Sequence, residues 1–247
     1  MRVAVIGGTG LIGSRVVRQL TAQGHDAVAA SPTTGVDALT RQGLERALEG
    51  ADVVIDVTRP RSLDGVAASE FFTRSTTNLL DVGAAAGVEH HVVLSVVGID
   101  QMQASGYFRA KLQQEDLIRS GPIPYTIIRS TQFFEFIDTI ADVATQGRTV
   151  RLPPALVQPI AAQDVASFLC DAAGRKPHNE LVEIAGPDRF RLDEVVRRRL
   201  GRANDPRQVE ADPDALYFGW VRLEETTLIP EHLDAVGTSH FTDWLDG

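Results

Sequence analysis

The sequence of 247 residues has a single cysteine, no long apolar run and fewer basic than acidic side chains. Cys170 has no second cysteine to pair with, so a disulfide scaffold is excluded. Apolar stretches such as residues 92–97 are far shorter than the ~20 residues that cross a bilayer. The N-terminus also lacks the pattern of a secretory signal. We therefore expect a soluble, cytoplasmic protein with no membrane partner.

The charge balance argues against a nucleic-acid partner. The chain has 24 basic and 33 acidic side chains, a net charge of -9 that repels a phosphate backbone over most of the surface. Its 43% apolar and 23% charged residues are typical of a globular protein, which excludes extensive disorder. His90 and His91 are adjacent on an expected strand and point to opposite faces, and the other histidines lack ligand spacing, so no metal site is expected.

Short apolar runs alternate with helical patterns through the first 130 residues. Each helical pattern repeats apolar residues at three- and four-residue steps. The pattern predicts strands at 2–6, 26–30, 51–57, 92–97 and 125–128, and helices at 11–23, 44–48, 70–86 and 108–119. This alternation predicts a doubly wound α/β fold, a Rossmann-like parallel sheet with ligands at the carboxyl ends of its strands.

The rhythm loosens after about residue 150, where prolines separate shorter elements. The pattern there predicts helices at 163–173, 192–199 and 240–245 and a strand at 181–185. We expect a dinucleotide-binding core over residues 1–152 and a smaller substrate-binding lobe over residues 153–247, packed together as one compact unit.

A glycine loop, G-x-x-G-x-x-G, joins the first expected strand to the first expected helix. Glycines in that context let the backbone close on a pyrophosphate at a helix N-terminus. The alternative is a tight turn in which glycine only avoids a steric clash. Dinucleotide binding is favoured, and the predicted cofactor-binding residues of the loop are Gly7, Thr9, Gly10, Leu11, Ile12 and Gly13.

The second expected strand ends at Ser31 without the carboxylate that an NAD site usually places on the ribose 2′-hydroxyl. Hydroxyl groups and turn amides accept a 2′-phosphate, and Arg15 in the first helical turn adds positive charge. NADP(H) is therefore the expected cofactor, with Ser31 among its ligands. NAD(H) stays possible if this turn only covers the adenine.

Tyr107 and Lys111 stand four residues apart on an expected helix, so they share one face about a turn apart. A carbonyl that receives hydride needs a proton donor, and a phenol is useful near neutral pH when a nearby cation stabilises its phenolate. Tyr107 is thus the predicted general acid, and Lys111 the predicted phenolate stabiliser and ribose ligand. The alternative is a surface lysine beside a half-buried tyrosine.

Ser95 ends the strand that precedes Tyr107 and is expected at the ligand edge of the sheet. It is predicted to orient the substrate oxygen, although a serine there also commonly bonds local backbone amides. Asn78, in the third expected helix, is a candidate to anchor a water or the Lys111 backbone, or simply polar surface.

These motifs together resemble the short-chain dehydrogenase/reductase superfamily, specifically its atypical, NmrA-like branch of NAD(P)H-binding proteins. The resemblance rests on GGTGLIG, on Asn78-Leu79-Leu80, on Ser95, on the YFRAK motif and on Ile127-Ile128-Arg129. It implies that the stretches around Thr58, Ser95 and residues 130–133 line the nicotinamide end. Thr58, Ser95 and Lys111 then join the expected cofactor ligands, and Gln132 and Phe133 become candidate substrate-pocket residues.

The expected function is an NADP(H)-dependent oxidoreductase that reduces a carbonyl, or oxidises the alcohol, of a small to medium apolar substrate. Many NmrA-like proteins lack the tyrosine and act as redox sensors, whereas this chain has Tyr107 and Lys111. Phe133 is expected to face substrate and Trp220 to lie in the core. Two alternatives stay open: an NADP(H) sensor that signals through a protein partner, and a nucleotide-sugar epimerase or dehydratase.

Overall fold

The computed structural model describes residues 1–246 of the chain. Its first part alternates strands and helices, with the following bounds: β1 Arg2–Ile6, α1 Leu11–Ala22, β2 Asp26–Ala30, α2 Leu44–Leu48, β3 Val53–Asp56, α3 Gly65–Ala86, β4 His90–Val96, α4 Gly106–Arg119 and β5 Tyr125–Ser130. These elements follow the apolar periodicity of the sequence closely. The α/β alternation predicted from the pattern is therefore confirmed.

The remaining elements are shorter: α5 Ile137–Val143, β6 Thr145–Gln146, β7 Thr149–Leu152, β8 Leu156–Val157, α6 Ala162–Ala173, β9 Glu180–Ala185, β10 Phe190–Arg191, α7 Leu192–Arg202, β11 Gln208–Ala211, β12 Ala235–Val236 and α8 Phe241–Asp246. Sequence patterning missed α5 and all the strands here except β9, because two- to four-residue strands carry too few positions to show a period.

A seven-stranded parallel sheet in the order β12-β9-β5-β4-β3-β1-β2 confirms the Rossmann-like fold. In its register Ile6 lies beside Ala30 on one side and Asp56 on the other. The chain leaves β1 toward β2 and then crosses back over β1 to β3. This reversal places a topological switch point at the carboxyl ends of β1 and β3, where ligands bind in such sheets.

Helices cover both faces of the sheet. On one face α1 buries Val16 and Leu20 completely, and Cys170 of α6 lies against it with its Sγ atom 3.8 Å from the Val16 carbonyl oxygen. On the other face α3 and α4 start in direct contact, because a Cβ atom on Gly65 would lie 2.6 Å from the Cα atom of Gly106. Two glycines thus allow the close approach that fixes the first turn of α4.

The chain forms two compact units, and they do not divide at residue 152 as predicted. The first contains Met1–Ser95, Gly106–Arg129 and Val165–Val182, and the second contains Val96–Ser105, Ser130–Asp164 and the chain from Glu183. These bounds differ from the predicted core and lobe because most of α6 belongs to the first unit, whereas the segment after β5 belongs to the second.

The second unit has its own small sheets and aromatic core. Strand β7 pairs in parallel with β11 and antiparallel with β6, and β8 pairs antiparallel with β10. Phe241 is fully buried, with ring centroids 5.3 Å from Phe134 and 5.9 Å from Trp244. Among the helices of residues 1–246, none has the length and apolar character needed to cross a bilayer.

Candidate cofactor and active site

The glycine loop folds tightly at the end of β1. Gly7 has a φ of +84°, and the amide nitrogen of Gly10 donates to the Gly7 carbonyl oxygen at 2.9 Å. A Cβ atom on Gly13 would lie 2.2 Å from that same oxygen. Gly7 therefore needs its left-handed conformation and Gly13 its missing side chain, so the loop closes only with glycine at these positions.

The loop presents an uncapped helix N-terminus. Gly10 is the N-cap of α1 and provides no side-chain cap, and the first turn holds no acidic residue. Thr9 and Leu11 are exposed, whereas the Ile12 side chain is buried in the core. Free N–H groups and the positive end of the helix dipole suit a pyrophosphate, so this loop fits the dinucleotide that it was predicted to bind.

Ser31 holds the β2 end against the glycine loop. Its hydroxyl oxygen lies 3.0 Å from that of Thr9, which donates to it, and 2.8 Å from that of Thr33. Ser31 is 5% exposed, whereas Thr9 and Thr33 are open to solvent. The surface offered to a ribose at this strand end is therefore made by Thr9 and Thr33, above the predicted ligand Ser31, and residues 31–36 carry no carboxylate.

Tyr107 lies in the first turn of α4 with its ring packed and its hydroxyl free. The ring makes edge contacts with Phe72 at 5.9 Å and Phe108 at 5.4 Å between centroids. Within residues 1–246 the hydroxyl has no hydrogen-bond partner. It is not among the buried polar atoms, so it is accessible to solvent. Burial raises the pKa of Tyr107, and the positive charge of Arg59 opposes this rise.

Lys111 is buried, and its ammonium is hydrogen-bonded within the chain. It is 4% exposed, its Nζ donates to Gln114 Oε1 at 2.5 Å, and the ammonium lies 4.8 Å from the Phe72 ring centroid. Desolvation lowers the pKa of Lys111 to about 8 against the charges of Asp56 and Glu115. The Lys111 ammonium therefore donates to Gln114 and not to the Tyr107 hydroxyl.

Asp56 links Lys111 to the loop after β3. Its Oδ2 accepts from Gln114 Nε2 at 2.9 Å, and its Oδ1 accepts from the Thr58 amide at 2.9 Å and the Thr58 hydroxyl at 2.7 Å. The hydroxyl hydrogen of Thr58, a predicted cofactor ligand, is thus given to Asp56. Nearby His91 is fully buried, and desolvation lowers its pKa while Asp56 opposes the shift. These groups fix the lysine beneath the loop.

Ser95 is buried at the end of β4, and its hydroxyl donates within the chain. It is 2% exposed and donates to Glu115 Oε1 at 2.6 Å. Glu115 also accepts from Arg129 Nε at 3.0 Å and from Arg119 Nη2 at 2.9 Å. The predicted role of orienting a substrate oxygen does not fit this geometry, because the serine hydrogen is committed to a buried carboxylate that two arginines hold in place.

Asn78 lies away from Lys111, and Arg59 is a further charged residue near Tyr107. The Asn78 amide accepts from Arg41 Nε and donates to the Ala38 carbonyl oxygen, both at 2.7 Å, so it braces the segment after β2 and does not contact Lys111. Arg59, which the sequence analysis missed, is exposed directly after Thr58 and is the charge that acts on Tyr107. Its signal was its place just beyond the carboxyl end of β3.

The candidate pocket residues Gln132 and Phe133 lie in the second unit. Gln132 is 8% exposed; its side chain hydrogen-bonds with Tyr217, and its Oε1 atom has no partner within residues 1–246. Phe133 is half-buried and forms a β-bridge with Ile160. Trp220, expected in the core, is instead 50% exposed because it lies in a surface turn.

Sequence comparison relates the chain to reductases. It is 26% identical over 240 residues to the chloroplastic divinyl chlorophyllide a 8-vinyl-reductase of Cucumis sativus, covering 81% of this chain and 57% of that protein. It is 28% identical over 225 residues to the (4-alkanoyl-5-oxo-2,5-dihydrofuran-3-yl)methyl phosphate reductase of Streptomyces griseus subsp. griseus, covering 81% and 74%. The chain thus spans under three fifths of the length of the plant reductase.

Structural comparison and a family model agree on the fold. MoeE5 in complex with UDP-glucose and NAD superposes with a TM-score of 0.74 at 18% identity, covering 100% of this chain and 96% of that one. At that identity the likeness establishes the fold alone. A model of the NAD(P)H-binding family matches residues 7–176, the range that contains the glycine loop, Tyr107 and Lys111. The chain belongs to the NAD(P)H-binding family.

Proposed function

We propose that the chain is an NADP(H)-dependent oxidoreductase that reduces a carbonyl on a small to medium apolar substrate. The observation that carries this proposal is the free, solvent-reaching hydroxyl of Tyr107 in an NAD(P)H-binding fold. A phenol without a protein partner is available to protonate a substrate oxygen. The sequence relatives support the same reaction class, because both are named as reductases.

The site chemistry favours reduction over the reverse oxidation. The hydride comes from the nicotinamide cofactor when it is bound, and Tyr107 donates the proton that the substrate oxygen takes up. Burial raises the pKa of Tyr107, so the phenol is protonated at neutral pH and acts as an acid. The Arg59 guanidinium stabilises the phenolate that forms after transfer, the part that Lys111 was expected to play.

The β2 end supports NADP(H) as the preferred cofactor. Residues 31–36 lack a carboxylate, which would repel a 2′-phosphate. The exposed hydroxyls of Thr9 and Thr33 provide donors for phosphate oxygens at the same place. A site selective for NAD(H) would need an acidic acceptor for the ribose 2′-hydroxyl in this position.

Purified protein assayed by NADPH consumption against a panel of ketones and aldehydes tests the proposal. The panel includes conjugated alkenes, because one relative is named a vinyl reductase. We expect turnover of at least one carbonyl compound with NADPH. Tight NADPH binding without turnover of any compound would favour the cofactor sensor, and a non-exchanging NAD retained through purification would favour the nucleotide-sugar epimerase.

A further inference from the structure

A tight aromatic turn in the second unit has an unusual backbone. Tyr217 and Val221 exchange two backbone hydrogen bonds of 2.8 and 3.1 Å, and the Trp220 amide donates to the Tyr217 carbonyl oxygen at 3.2 Å. The two central residues of the turn from Tyr217 to Trp220, Phe218 and Gly219, have φ values of +53° and +78°. Both are left-handed, as a type I′ turn requires.

A phenylalanine in the left-handed region is strained, since a bulky side chain there is an outlier. Asparagine or glycine would make the same turn without that strain. What Phe218 adds is its ring, which stacks on Phe136 at 6.0 Å and 23° and meets Tyr217 edge-on at 4.7 Å. Strain of this kind persists where the side chain has a function and its surroundings hold it.

The same cluster contains an unsatisfied amide. Tyr217 is 3% exposed, and the Gln132 side chain donates to its phenol oxygen, which opposes the rise in the Tyr217 pKa caused by burial. The other half of that amide, Oε1 of Gln132, is buried without a partner among residues 1–246. A buried acceptor is normally satisfied, so this oxygen is suited to meet a donor that the chain itself does not supply.

We propose that Gln132, Phe136, Phe218 and Trp220 form a binding wall for a planar, conjugated ring that carries a hydroxyl or N–H donor. The near-parallel rings of Phe136 and Phe218 offer flat faces for stacking, the half-exposed Trp220 follows Phe218 in the same turn, and Gln132 Oε1 accepts from the ring substituent. All four residues belong to the second unit.

The wall consists of residues of the second unit alone, so its binding of a ring does not rest on the proposed function. Gln132 Oε1 is covered in this conformation, so a ligand has to displace a neighbouring side chain to reach it. A saturated, puckered ring gains no stacking, and a ring without the donor leaves the amide oxygen unpaired. The wall is therefore expected to select ligands by the planarity of the ring and, independently, by the hydrogen-bond donor that the ring carries.

Calorimetric titration of the 247-residue, NADP⁺-loaded protein tests the wall with three matched probes: 2-naphthol, its methyl ether, and decahydro-2-naphthol. We expect 2-naphthol to bind about 5-fold more tightly than the ether, which lacks the donor, and about 10-fold more tightly than the saturated alcohol. Trp220→Ala should remove most of the preference for the planar probe, and Gln132→Met the preference for the hydroxyl. Leu233→Ala, at another exposed apolar site, should change neither.

Equal affinities for the three probes would overturn the wall, as would an unchanged preference in Trp220→Ala. That variant is expected to fold, because Trp220 is half exposed, so the test stands even if Gln132→Met proves unstable. Binding is measured without turnover. A selective wall on a protein that reduces nothing would refute the proposed function alone, and reduction with unselective binding would refute the wall alone.

Discussion

The buried ammonium of Lys111 should make the stability of the fold depend on alkaline pH. Desolvation lowers the pKa of this lysine from 10.5 to about 8 in the folded chain. Below about pH 8 both folded and unfolded chains carry the proton, and the folded chain bears the full cost of the buried charge. Between about pH 8 and 10.5 only the unfolded chain binds the proton, so stability rises with pH.

The magnitude follows from the size of the shift. Each pKa unit corresponds to about 1.4 kcal/mol, so a shift of about 2.5 units gives about 3 kcal/mol over this window. Lys111→Met removes the titrating group while keeping an unbranched apolar side chain. The free energy of unfolding of the wild type should therefore gain about 3 kcal/mol relative to Lys111→Met between pH 7 and 10.5.

Urea unfolding of both proteins across this pH range measures the difference. Groups that titrate in both proteins, such as Cys170, cancel in the comparison. The second lysine of the chain, the exposed Lys176, provides the matched control, and Lys176→Met should follow the wild type. Parallel pH profiles for wild type and Lys111→Met would refute the buried, pKa-lowered lysine.

Three further changes test the cofactor site and the network beneath it. Thr33→Asp should reverse the preference of the protein from NADPH to NADH in fluorescence titrations, because an exposed carboxylate repels the 2′-phosphate. An unchanged order of affinities would show that the β2 end does not contact the 2′-phosphate. Gly13→Ala should abolish NADPH binding because its Cβ atom would overlap a loop carbonyl, whereas Gly201→Ala, which meets nothing within 4 Å, should bind normally. Ser95→Ala should cost about 1.5–3 kcal/mol in urea unfolding, since it removes a hydrogen bond to the buried Glu115, with kcat little changed; a large loss of kcat in a stable protein would restore the catalytic role of Ser95.

Local patterns were enough to predict the fold and the glycine loop. The loop between β1 and α1 is encoded by consecutive residues, and Gly13 has a local steric reason, because its Cβ atom would meet the Gly7 carbonyl oxygen. Helix α3 shows a limit even there, because it begins at Gly65 rather than near residue 70. Its start is set by Asp64, whose Oδ1 accepts from the Val66 and Ala67 amides at 3.1 and 2.9 Å.

The active-site roles could not be predicted because long-range partners decide them. Four-residue spacing places Tyr107 and Lys111 on one helix face, but the lysine ammonium donates to Gln114. The Gln114 amide in turn donates to Asp56, which lies 58 residues earlier in the sequence. Ser95 likewise turns to Glu115 rather than to solvent. Spacing predicts which residues share a face, whereas the direction of a side chain depends on the charges and hydrogen-bond partners that folding brings to it.

The proton-donating role of Tyr107 is tested most directly by the kcat of Tyr107→Phe on a carbonyl substrate identified with the wild type. The ring continues to pack, and no hydrogen bond within residues 1–246 is lost, so melting temperature and NADPH affinity should stay unchanged. We expect kcat to fall by about 10² to 10⁴, the range for loss of a positioned acid. Near-full turnover by a folded, NADPH-binding Tyr107→Phe would contradict the account.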